Sequence, residues 1–112
     1  KQFLITIGDR SVGGLTIQDQ FIGPWQVPVA DCAVTSNDFL YKTGEVMSMG
    51  EKSSIAVYNP VSSGEMAICE AILNLCSSPV GNIKKIALSA NWMSSFENDF
   101  DQYLLNTIIV LA

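Results

Sequence analysis

Gly23-Pro24-Trp25-Gln26-Val27-Pro28-Val29-Ala30-Asp31 is the stretch that decides how this chain folds. Gly23-Pro24 and Pro28 punctuate its start, and Val27 and Val29 alternate with their neighbours before the run continues through Cys32-Ala33-Val34-Thr35. That pattern predicts a strand over 27–35, entered from a proline-bounded turn. An acid, Asp31, interrupts the apolar run beside Cys32 and Ala33, where a carboxylate needs water or a partner.

Working outward, Phe3-Leu4-Ile5-Thr6-Ile7 reads as a strand closed by the turn Gly8-Asp9-Arg10-Ser11-Val12-Gly13-Gly14. Leu15-Thr16-Ile17 begins a second strand, and 53–58 and 83–90 are predicted as two more. Ser62-Ser63-Gly64-Glu65 fits a capping box, with Ser62 as N-cap of a helix that runs to about Cys76. A second helix is expected from Glu97 to the end, opened by Ser94-Ser95. These elements make an α/β (α+β) chain of about four to five mainly antiparallel or mixed strands, with two helices packed on one face. At 112 residues, with no repeat or linker, 1–112 is expected to be a single domain.

Hydrophobic residues make up 48% of the chain and charged residues 15%, so either the core is large or apolar surface meets a partner. The net charge of -5, with Lys84-Lys85 the one basic doublet, argues against nucleic acid. Apolar runs are too short to span a bilayer, and the N-terminal residues lack the build of a signal peptide, so a soluble, cytoplasmic protein is expected. Cys32, Cys69 and Cys76 have no zinc spacing and are expected as reduced, mostly buried thiols. No histidine is present, which removes Ser-His-Asp and Cys-His catalysis by this chain alone. Trp25 and Trp92 are expected in the core.

Glu70 and Asn74 are the strongly polar residues of the helical run 66–76, and their four-residue spacing places them on one face, opposite Ile68, Ile72 and Leu75. Two readings follow. The pair, with Asp31 supplied from the strand, offers hard oxygens suited to magnesium. Alternatively it is a narrow solvated stripe and Asp31 merely opens a turn, which on spacing alone is the default. Gly8 to Gly14 lacks the spacing of a phosphate loop and reads as a hairpin turn. Gly44-Glu45-Val46-Met47-Ser48-Met49-Gly50-Glu51 holds two carboxylates whose spacing favours neither a site nor a solvated loop.

Several of these segments, taken together, resemble one family. Gly8 to Leu15, Asp19-Gln20, Gly23 to Thr35, Gly44 to Glu51 and Leu88-Ser89-Ala90-Asn91-Trp92-Met93 are similar, in order and spacing, to the phosphoribosylformylglycinamidine synthases, the large amidotransferases of purine biosynthesis. The likeness covers residues 1 to about 93 and matches the start of the second half of the synthetase region. It implies the N-terminal-domain fold of aminoimidazole ribonucleotide synthetase. The parent enzyme consumes ATP and glutamine to convert formylglycinamide ribonucleotide to its amidine.

Position by position, the resemblance implies that Asp31 is a magnesium-binding aspartate, Ala30 a nucleotide contact, and Glu70 and Asn74 two further magnesium ligands. The cofactors implied are Mg2+ and ATP or ADP, held in a largely structural role, with no catalytic residue in this chain. The Gly-Lys-Asp-Ser segment and later aspartate of the family are missing here, so coordination by this chain alone is expected to be partial. The chain starts on Lys1 and stops on an uncapped apolar helix, which is expected of a piece of a longer polypeptide, inactive in isolation. Its expected partners are the remaining domains of the parent enzyme or, through an uncovered sheet, a second copy in a homodimer. The competing hypothesis is a structural or dimerisation module that binds no nucleotide.

Overall fold

Five short strands form, all paired antiparallel, in a computed structural model that describes residues 13–94 and 100–112, the side chains of Phe100 and Asp101 excepted. β1 (Thr16–Gln18), β2 (Phe21–Ile22), β3 (Val27–Pro28), β4 (Cys32–Ser36) and β5 (Gly44–Ser48) follow in chain order. β1, β4 and β5 make one sheet with β4 in the middle, and β2 and β3 make a separate two-stranded hairpin. Cys32 opposes Ser48 and Val34 opposes Val46. Because side chains alternate along a strand, these four share one side of the sheet. That side meets helix α2 (Pro60–Leu75), where the Ser48 hydroxyl donates to the Ala71 carbonyl at 2.8 Å.

The expected α+β class, with its antiparallel strands, is the one observed, while several elements differ from expectation. The predicted strand over 27–35 is two strands. Gly23, at φ 71°, and Gln26, at φ 49°, bend the chain into a four-residue loop between the paired Ile22 and Val27, so the proline-rich stretch closes a hairpin. The strand predicted over 53–58 is instead the short helix α1 (Ser53–Ala56), in a segment that must turn from β5 into α2. β5 itself was not expected; Val46 and Ser48 supply the inward alternation. Helix α2 begins before Ser62. Asn59 is its N-cap, accepting the Ser62 N–H at 3.1 Å, and Pro60 occupies the first turn, where its missing N–H costs nothing. The strand predicted over 83–90 is a 3-10 turn at Ile83–Lys85 followed by irregular chain. Helix α3 (Phe100–Leu111) matches the second predicted helix, whose first residues, 97–99, lie outside the described residues, as do the strand predicted over 3–7 and residues 8–12 of the turn after it.

Two glycines set the helix packing by having no side chain. A Cβ on Gly50 would fall within 2.6 Å of the Ala71 nitrogen and collide with the Ala67 carbonyl, so the chain leaving β5 lies directly on the α2 backbone. A Cβ on Gly64 would lie 2.5 Å from Leu111 Cδ1 and 3.1 Å from Thr107 Cγ2, which seats α3 against α2. Thr107 is buried there and returns its hydroxyl to the Tyr103 carbonyl at 2.8 Å, so no buried donor is stranded.

Among the described residues the buried apolar set is small: Phe21, Cys32, Ala33 and Leu75. The radius of gyration, 16.6 Å, exceeds the roughly 13 Å of a compact chain this long, and the narrowest extent is 19 Å. A thin slab of this kind leaves apolar side chains outside. Trp25, expected in the core, is 86% exposed at the hairpin tip, and Trp92 is also exposed, although its ring edge reaches the Gly64 region. Of the three cysteines, all free, Cys32 is buried with Sγ 3.4 Å from Ser78 Oγ, whereas Cys69 and Cys76 are exposed rather than buried.

Candidate functional site

The strand β5 does not end cleanly at Ser48. Met49 donates its N–H to the Asp31 carbonyl at 3.1 Å, extending the β4–β5 ladder by one step. The Met49 carbonyl in turn accepts from Asn74 Nδ2 at 2.8 Å. One residue therefore joins the strand end that carries Asp31 to the helix face that carries Asn74. Gly50 then lies on the helix backbone, Glu51 donates its N–H to Glu70 Oε2 at 3.0 Å, and Lys52 Nζ stands 2.6 Å from the same oxygen. Residues 49–52 thus form a strap laid along α2.

Glu70 and Asn74 stack on one helix face as their spacing predicts, and the strap explains why two polar residues suit this largely apolar helix. Each uses one atom on the strap. Glu70 Oε1 and Asn74 Oδ1 have no protein partner among the described residues. Asp31 is exposed, one residue before β4, and its carboxylate makes no hydrogen bond or ion pair among the described residues. Ala30 is half-buried beside it, and its carbonyl accepts the Cys32 N–H at 2.8 Å, so any ligand contact of Ala30 would involve the remaining backbone or the methyl group.

The Lys52 ammonium, hydrogen-bonded to Glu70, and the Glu51 N–H hold the Glu70 carboxyl below its ordinary 4.5. Glu70 is therefore ionised at neutral pH and already carries a cation. Both side chains of the ion pair are about one-third exposed (31% and 35%), so its strength is moderated by water. An open groove of about 380 Å3 runs past them, bounded by Lys52, Met66, Cys69, Glu70, Leu73 and Asn74.

Asp31, Glu70 and Asn74 offer the hard oxygen donors that magnesium prefers, and the Lys52 ammonium on Glu70 Oε2 shows that this carboxylate draws a cation. The set contains two carboxylates; among the described residues no three His, Cys, Asp or Glu side chains gather into a metal-binding group. Asp31 is linked to the helix pair through its main-chain carbonyl and Met49, and two carboxylates with one amide oxygen are donor types that suit a magnesium ion that keeps several waters or takes phosphate oxygens. Among the described residues no helix is long and apolar enough to cross a membrane.

Spacing isolated Glu70 and Asn74 but missed Met49 and Lys52, the residues that engage them. The available signal was weak: a single lysine after Gly50-Glu51, at the end of the alternating Val46-Ser48 pattern. The turn containing Arg10 lies outside the described residues.

A family model described as the FGAR-AT PurM_N-like domain matches residues 1–110. That span contains both sheets, helix α2 and nearly all of α3. With the antiparallel α+β layout and a match over almost its whole length, the chain belongs to the FGAR-AT PurM_N-like domain family, a formylglycinamidine synthase-related N-terminal domain.

Proposed function

We propose that this chain works as part of a formylglycinamide ribonucleotide amidotransferase, the ATP-dependent ligase that uses glutamine nitrogen to form formylglycinamidine ribonucleotide. Within it, Asp31, Glu70 and Asn74 contribute ligands to a magnesium ion and Ala30 contacts the nucleotide, ATP or ADP. The observation that carries this reading is the Met49 bridge, which ties the Asp31 strand end to Asn74 on the helix face shared with Glu70. Without it, Asp31 would have no reason to act with a helix pair that lies 39 and 43 positions further along the sequence.

Bound magnesium would supply positive charge between the phosphates and the carboxylates. The chain's own residues do the rest: β4 presents Asp31, α2 presents Glu70 and Asn74 one turn apart, and the strap fixes both helix residues before a ligand arrives. Ligand binding of this kind stabilises the fold by linkage, consistent with a structural nucleotide. No residue of this chain is assigned a catalytic role, and without histidine the chain supplies neither a Cys-His nor a Ser-His pair. The glutaminase and the remaining ligase chemistry belong to other parts of the assembly. The same reading places the protein in the cytoplasm and covers its exposed sheet residues, Ile17 and Met47, with a neighbouring domain or a second copy.

Calorimetric titration of the purified chain with magnesium and ADP tests this. Binding that Asp31→Asn and Glu70→Gln each weaken supports it; no binding, or binding indifferent to both substitutions, favours the structural module without a nucleotide.

A further inference from the structure

Among the described residues Lys52 brings a positive charge to the proposed magnesium site without being one of its ligands. Its main chain is pinned: the Lys52 carbonyl accepts from Ser63 Oγ at 2.7 Å and from the Ile55 N–H at 3.0 Å. Only its side chain is left to move, and that side chain reaches across the groove wall to Glu70 Oε2 at 2.6 Å. Oε2 also accepts the Glu51 N–H, so the ammonium and the amide together occupy this oxygen. Oε1 is left for a metal, but a magnesium ion there would stand only a few ångströms from the ammonium on the same carboxylate, and two like charges that close repel.

From this we infer that Lys52 is a built-in counter-ion that competes with magnesium for Glu70, and that it swings off the carboxylate into the open groove when the metal binds. The inference rests on the magnesium reading above. In the metal-free chain the ammonium neutralises Glu70 and keeps the strap closed on α2. With the metal in place, the freed ammonium stays within a side-chain length of the site, because Ser63 holds the Lys52 carbonyl, and there it adds positive charge facing the phosphates of a bound nucleotide. Magnesium affinity is thereby lowered for the bare ion and recovered when phosphate arrives, which favours the metal-nucleotide complex over free magnesium.

The test measures magnesium affinity alone and with ADP for wild type, Lys52→Met, Lys52→Gln and Glu70→Gln, each checked for fold by circular dichroism. Expected are magnesium binding about threefold tighter in both Lys52 variants, the size an exposed ion pair can impose, a smaller gain from added ADP than in wild type, and no tight site in Glu70→Gln. The lysines are also 13C-dimethylated, and the Lys52 signal should move towards that of a free lysine as magnesium is added. A purely long-range charge effect would leave that signal in place and overturns the competition. If wild type binds magnesium and the Lys52 variants bind it no more tightly, the counter-ion role fails while the metal site stands. If no variant binds magnesium, both fall.

Discussion

Residues 49–52 and residues 86–93 both run between regular elements and take opposite courses. The first is tied to its surroundings at every position, through the Met49 peptide, the bare Gly50 backbone, the Glu51 N–H and the Lys52 ammonium. In the second, residues 87–93 are all exposed, and past the Ile86 N–H no backbone bond to another element is found among the described residues. The difference lies in partners rather than in propensity. A strand-forming sequence stays irregular when no edge accepts its N–H and C=O groups, whereas a glycine-containing segment becomes ordered when a helix face offers acceptors in register.

The comparison is broken most directly by amide hydrogen exchange. Residues 87–93 should exchange close to the unprotected rate, and the β4 amides orders of magnitude more slowly; comparable protection in the two would mean that 86–93 has found a partner, such as a second copy. Next in size is Gly50→Ala. Its new methyl meets the Ala67 carbonyl and the Ala71 nitrogen, both backbone, which cannot give way, and a loss of about 3 kcal/mol in urea unfolding is expected. An equivalent change in the loose segment, Ser89→Ala, should cost under about 0.5 kcal/mol.

Acid sharpens the same contrast. Because the folded-state carboxyl of Glu70 lies below its ordinary 4.5, the strap's ion pair contributes fully above that value and is lost as pH falls through the lowered one. Wild type should therefore be more stable than Glu70→Gln at neutral pH, and the gap should close on acidification below 4.5; a gap independent of pH would show that the ion pair contributes nothing. The smallest effect is expected at Trp25, exposed on the hairpin tip, where Trp25→Ser should change stability by no more than about 0.5 kcal/mol.

Much of the site and less of the fold could be read beforehand. Glu70 and Asn74 were legible because helix periodicity is local: a four-residue step fixes a shared face whatever the helix packs against. The cap was nearly legible. Ser62 carries the right chemistry, yet Asn59 before Pro60 was the stronger start signal, and its side chain took the Ser62 N–H. The errors at 53–58 and 83–90 arose in short apolar runs, where strand and turn differ only in whether a distant edge is available. Trp25 misled through composition, since its loop position was set by the Gly23 and Gln26 backbone and not by hydrophobicity.

By itself, then, the sequence determined the antiparallel α+β class, the polar face of α2, and through its Gly-Pro-Trp-Gln-Val-Pro block a family resemblance that the match over residues 1–110 bears out. Only the tertiary structure decided that the Asp31 main chain and Asn74 meet at Met49, that Gly50 lies on bare helix backbone, and that the Lys52 ammonium pairs with Glu70. The physical reason is the range of the interactions. Periodicity and capping act over a few residues and leave a mark in the sequence, while pairing across roughly twenty positions or more depends on which backbone groups remain unsatisfied once the chain has closed.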